Sequence, residues 1–179
     1  MPEELDRSRL EEVVSAISER LDGDWLLIGG ALVSLWLRPG RATEDVDVVG
    51  LGGTSAQRLA LMKLAVDLGL PVEAVNSAAD FFVARIDGWR DHLVLFRAGA
   101  RGRVFRPDAT LFLLLKIGRL SASDLDDCLA LLADAGKAWT EPLDGRRVLA
   151  AIDALAATDD AGLTQRRTSL RANLSALKP

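Results

Sequence analysis

Residues 25–49 read WLLIGGALVSLWLRPGRATEDVDVV. Trp25–Ile28 is a short apolar run with the length of a buried strand, and it breaks at Gly29-Gly30. Ala31–Leu37 has helical composition and stops at Pro39-Gly40. After a polar turn, Asp45 and Asp47 alternate with Val46 and Val48. Side chains on a strand alternate between faces, so the two aspartates are expected on one face and the valines on the other. Residues i and i+2 on a strand lie roughly 6.5–7 Å apart, close enough for both carboxylates to converge on one site. A strand that turns through two glycines into a helix offers backbone N–H groups to an anion and lets a phosphate come close. Carboxylates are the hard oxygen ligands that Mg²⁺ takes together with substrate phosphates. The stretch therefore reads as a magnesium–nucleotide site. A purely geometric Gly-Gly turn beside an incidental Asp-x-Asp is the other reading.

The order of these parts (hydrophobic strand, Gly-Gly, helix, then Arg-x-Thr-x-Asp-x-Asp) resembles the nucleotidyltransferase superfamily. More narrowly it resembles the minimal, abortive-infection-type members found in bacterial toxin–antitoxin systems. The matching positions are Gly29, Gly30, Arg41, Thr43, Asp45 and Asp47. A second similarity lies in residues 111–132, LFLLLKIGRLSASDLDDCLALL, at Lys116, Arg119, Asp124, Leu125 and Asp127. The resemblance implies an α/β (α+β) fold, a small mixed sheet flanked by helices with a C-terminal helical segment. It also implies Mg²⁺, in a one- or two-metal site, and an NTP substrate. Asp45 and Asp47 would hold the metal, and Gly29, Gly30, Arg41, Thr43 and Lys116 the nucleotide. A third carboxylate is expected on a neighbouring strand. Glu73 is the first acid on the strand expected over 70–76 and is assigned as metal ligand or general base. Asp87 and Asp91 are the alternatives. The acceptor is left as tRNA, protein or a small molecule, and an antitoxin protein is an expected partner. A non-catalytic toxin-like or RNA-binding module of the same fold is the other function class.

Composition narrows the classes further. The 179 residues suit one medium domain or a core with an extension. Expected boundaries are a core over 1–136 and a helical extension over 137–179. A formal charge of −4 argues against coating nucleic acid by bulk charge. One cysteine, Cys128, excludes an internal disulfide and a cysteine-based zinc site, and it sits in a helical apolar pattern. One histidine, His92, is read as a partly exposed strand residue. No apolar run approaches bilayer length and the N-terminus is unlike a signal peptide, so a cytoplasmic protein with no membrane association is expected.

Around the motif, the spacing of Leu10, Val13, Val14, Ile17 and Leu21 predicts an amphipathic helix over 4–21. Gly50–Gly53 reads as a connector, with lining of the substrate cleft as the alternative. Thr54 or Ser55 caps a helix whose buried stripe is read as Leu59, Met62, Leu64, Ala65 and Leu68. Residues 81–86 and 92–96 read as a strand pair around Asp87-Gly88. Arg97, Arg101, Arg103 and Arg106 form either a solvated loop or a phosphate-contacting rim. Pro107-Asp108 opens a helix to Ile117, and Asp124 and Asp127 are read as ties to a basic partner. Two final helices are expected near 143–157 and 160–176, the last with Arg166, Arg167, Arg171 and Lys178 on a basic face.

Overall fold

The structure, a computed structural model, describes residues 4–41, 43–71, 74–76 and 80–177. Glu73, the expected third carboxylate, and Lys178 lie outside them. The fold is α+β, and the chain divides into two compact units, Met1–Pro107 and Asp108–Pro179.

The first unit carries the sheet. Helix α1 (Arg7–Arg20) starts at Asp6, whose side chain accepts from the Arg9 amide, and it buries Leu10, Val13, Val14 and Ile17 as its spacing requires. Strand β1 (Gly23–Ile28) is central, with Trp25–Ile28 all buried, as a continuous apolar run should be when both faces are covered. It runs directly into α2 (Gly29–Trp36). Strand β2 (Val46–Gly50) pairs antiparallel with β1, with Ile28 opposite Asp47 and Trp25 opposite Gly50. After α3 (Ser55–Asp67), capped by Thr54, the short β3 (Val75–Asn76) pairs parallel with β2, placing Asn76 opposite Asp47. Strands β4 (Leu93–Ala98) and β5 (Gly102–Pro107) form an antiparallel hairpin, and β5 pairs parallel with β1. The sheet order is β3-β2-β1-β5-β4. Helix α1 lies against β4 and β5, α2 lies against β1 and β2, and the two helices touch.

Three local expectations change. The strand expected over 70–76 is, among the described residues, only Val75–Asn76, and the Ala74 amide turns back to the Pro71 carbonyl at 3.0 Å. The expected strand pair around Asp87-Gly88 does not form. Residues Asp80–Val83 make one turn of helix, α4, and Trp89–His92 a 3₁₀ turn that includes His92. Phe81 and Phe82 are adjacent and both exposed, so the period-2 alternation a half-buried strand needs is missing. The partner of residues 93–98 is instead the arginine-bearing 102–107, whose inward positions Val104 and Arg106 are buried. Finally, α3 buries Leu61, Leu64 and Ala65, while Leu59 and Met62 stand exposed.

The second unit is helical: α5 (Ala109–Ile117), α6 (Ala122–Ala133), α7 (Gly145–Asp153) and α8 (Ala161–Ala176). Each starts at an Asp or Ser whose side chain accepts a backbone amide of the first turn, the residue types that satisfy otherwise orphaned donors. The expected basic face of α8 is spent on local ties. Arg166 Nε donates to the Leu120 carbonyl at 2.7 Å, Arg167 to the Ala156 carbonyl at 2.8 Å, and Arg171 pairs with Asp153. Among the described residues no helix is long and apolar enough to cross a membrane.

Candidate active site at the end of the central strand

The β1–α2 junction and the start of β2 meet at one end of the sheet. Gly29 takes φ +71°, which L side chains rarely adopt. A Cβ built there would fall onto the Asp47 carboxylate, 2.9 Å from its Cγ. The absence of a side chain at Gly29 is thus what seats Asp47. Gly30 plays the same part for the Arg-x-Thr segment. Its Cβ would stand 2.6 Å from Thr43 Oγ1 and 3.4 Å from an Arg41 guanidinium nitrogen. The Thr43 hydroxyl in turn donates to the Asp45 carbonyl at 3.1 Å. Gly29, Gly30, Arg41, Thr43 and Asp47 are therefore gathered in one place, with Asp45 tied in through its backbone.

Burial follows the expected alternation at the front of β2. Asp45 is exposed, Val46 buried, Asp47 half-buried and Val48 buried. Helix α2 starts at Ile28, in extended conformation and with no side-chain cap, so no side chain of Ile28 covers its first N–H groups. Such a helix start attracts anions. Two carboxylates with solvent access suit a divalent cation. Among the described residues no three His, Cys, Asp or Glu side chains form a metal-holding group, and Glu73 lies outside them. The strand that follows Glu73 does run beside the Asp-x-Asp strand.

The glycine-rich connector lies at the other end of the β1–β2 pair. There the Gln57 side-chain amide packs against Gly50 and Gly52, so these glycines accommodate a side chain of α3. Among the arginines of 97–106, Arg101 and Arg103 form ion pairs with Asp22 and Asp24, and Arg97 donates to the Ser15 hydroxyl. Arg106 is buried, its guanidinium 4.2 Å from the centre of the Trp36 ring and bonded to the Pro107 carbonyl.

Lys116 belongs to the second unit, in a compact charged cluster. Its ammonium donates to Asp124 Oδ1 at 2.8 Å and Asp127 Oδ2 at 3.0 Å. Asp124 also accepts two hydrogen bonds from Arg119, at 2.8 and 3.0 Å, and both the amide and hydroxyl of Ser121. Burial alone would raise the Asp124 pKa. Hydrogen bonds from Arg119, Lys116 and Ser121 outweigh it and hold the carboxyl well below the usual range. Burial also pushes the neighbouring Cys128 thiol up to about 12, leaving it an unreactive core side chain. The turn between α5 and α6 passes through Leu120 at φ +40°, an uncommon conformation for a non-glycine residue, with its carbonyl held by Arg166.

One contributor left no readable trace in the sequence. Leu5 donates its amide to the Thr43 carbonyl at 2.8 Å, a backbone contact that any residue type could make. No protein-family model, curated protein or solved structure matches the chain.

Proposed function

We propose that the protein is a Mg²⁺-dependent nucleotidyltransferase that moves an NMP group from an NTP to an acceptor hydroxyl or phosphate. The observation that carries this reading is the seating of the Asp47 carboxylate against the bare Cα of Gly29, with Gly30, Thr43 and Arg41 packed alongside. An acidic strand end is thereby held against an amide-bearing helix start, the two halves that a metal–triphosphate substrate requires.

In this reading Asp45 and Asp47 hold the cation. A Mg²⁺ ion bound there would supply positive charge to the triphosphate and the attacking oxygen. Amides at Gly29 and Gly30 would seat phosphate oxygens, and the missing side chains at both positions make room for Asp47, Thr43 and Arg41. Arg41, beside Gly30, supplies positive charge for the same oxygens. Thr43 holds the turn that aims Asp45. Glu73 is proposed as the third carboxylate or as the base that takes the acceptor proton. Lys116 is proposed as an electrostatic helper on the second sequence similarity alone, since its ammonium is tied to Asp124 and Asp127. The acceptor is tRNA, a protein or a small molecule, and an antitoxin is a candidate partner. A cytoplasmic location fits the single, buried, unreactive cysteine.

A non-catalytic RNA-binding role has less support, because Arg97, Arg101, Arg103 and Arg106 are engaged within the fold. The test is incubation with each labelled NTP, Mg²⁺ and cell lysate. Transfer of label that disappears in Asp47→Ala is expected. Equal labelling by wild type and a folded Asp47→Ala variant would refute the proposal.

A further inference from the structure

Helix α3 carries two apolar rows. Leu61, Leu64 and Ala65 are buried. Leu59, Met62 and Val66 form a second row at spacings of three and four and are 60%, 46% and 60% exposed. A contiguous row of large aliphatic side chains in water marks a contact surface. Beside it lies a groove of about 230 Å³ lined by Met62, Lys63, Val66 and Asp67. Its walls are two i, i+4 ridges, Met62–Val66 and Lys63–Asp67. A groove between such ridges takes the i, i+4 ridge of another helix, with axes crossing at about −50°.

We propose that the occupant is α3 of a second copy of this chain, in a two-fold dimer. Charge selects this partner. Lys63 and Asp67 are both exposed, one helical turn apart on the same flank of the apolar row. A two-fold axis across α3 brings that flank against its own reversed copy, so each Lys63 stands opposite the partner's Asp67 while Met62 meets Val66. The wall is thus complementary to itself. A row of three side chains buries well under the roughly 800 Å² per partner of a standard interface, so the dimer exchanges with monomer on dilution. None of these residues belongs to the candidate active site, and the inference stands whether or not the protein transfers nucleotides.

Sedimentation velocity on the full chain from about 1 μM to 1 mM tests it, a range that captures weak association. A concentration-dependent monomer–dimer equilibrium is expected. Val66→Glu should weaken it by more than about tenfold, since a charge would be buried at the centre. Lys63→Asp and Asp67→Lys should each weaken it by roughly three- to tenfold, and the combined reversal should restore it. All three positions are exposed, and circular dichroism checks that the variants keep their fold. A chain monomeric throughout this range, a dimer indifferent to Val66→Glu, or a double reversal no better than the single changes would each overturn the proposal.

Discussion

The protein holds two pairs of aspartates in opposite circumstances. Asp124 and Asp127, three apart on α6, are buried and take hydrogen bonds from Lys116, with Arg119 and Ser121 adding more to Asp124. Asp45 and Asp47, two apart at the head of β2, are exposed and half-buried, and Asp47 rests against a glycine. A carboxylate saturated by fixed cations is part of the architecture, because removing either partner strands a buried charge. A carboxylate that keeps access to solvent is, in the proposed function, where a cation would bind. Burial separates the two pairs more sharply than residue type or spacing.

The largest effect should come from the cemented pair. Lys116→Met leaves Asp124 and Asp127 without their shared cation and should cost about 3–5 kcal/mol of stability, read as a lower urea midpoint. A variant as stable as wild type would erase the distinction between the pairs. Asp47→Ala should do the reverse. Nucleotide transfer should fall by about 10²–10³-fold, the scale of losing one strong transition-state contact, with a smaller drop in the urea midpoint than Lys116→Met gives. Gly29→Ala sharpens the point, because it leaves both carboxylates in the chain. The added methyl displaces Asp47 and is strained at positive φ, so about 1–2 kcal/mol of stability and most of the transfer activity should go together.

The smallest effect is a slope against pH. Asp124 is held below its unfolded value, so the unfolded chain takes up its proton first as pH falls. Stability from this group is complete above about pH 4, the ordinary aspartate range, and drains away as pH drops toward the folded value. Urea midpoints measured between about pH 5 and pH 2.5 should fall for wild type and fall less steeply for Asp124→Asn. Equal slopes would mean that Arg119 and Lys116 do not hold the carboxylate charged.

How much of this was legible in the sequence depended on whether side-chain pattern alone carried the information. The run Trp25–Ile28, its break at two glycines and the alternation after Glu44 each have one structural solution, and β1, α2 and β2 fall where expected. Helix α3 was harder because both its rows are apolar. Periodicity reports a stripe without saying which one faces inward, and Leu59 and Met62 face solvent, not the core. At 81–96 a strand pair around Asp87-Gly88 is expected, yet both Phe81 and Phe82 are exposed and the partner of β4 lies downstream among arginines. Asp45, Asp47 and the two glycines could be selected from the motif. That Gly29 is empty for the sake of Asp47 is a fact of close approach, invisible until the strands are paired.

The bridge from Leu5 to Thr43 has a practical corollary. The stretch ahead of α1 is stitched by its backbone to the loop that carries Arg41 and Thr43, and Leu5 itself is buried. Clipping the chain just before Arg7 would leave every proposed catalytic side chain in place and still loosen the loop that aims them. A shortened recombinant version should therefore fold normally and lose part of any transfer activity, and expression designs should keep residue 5 and its neighbours intact.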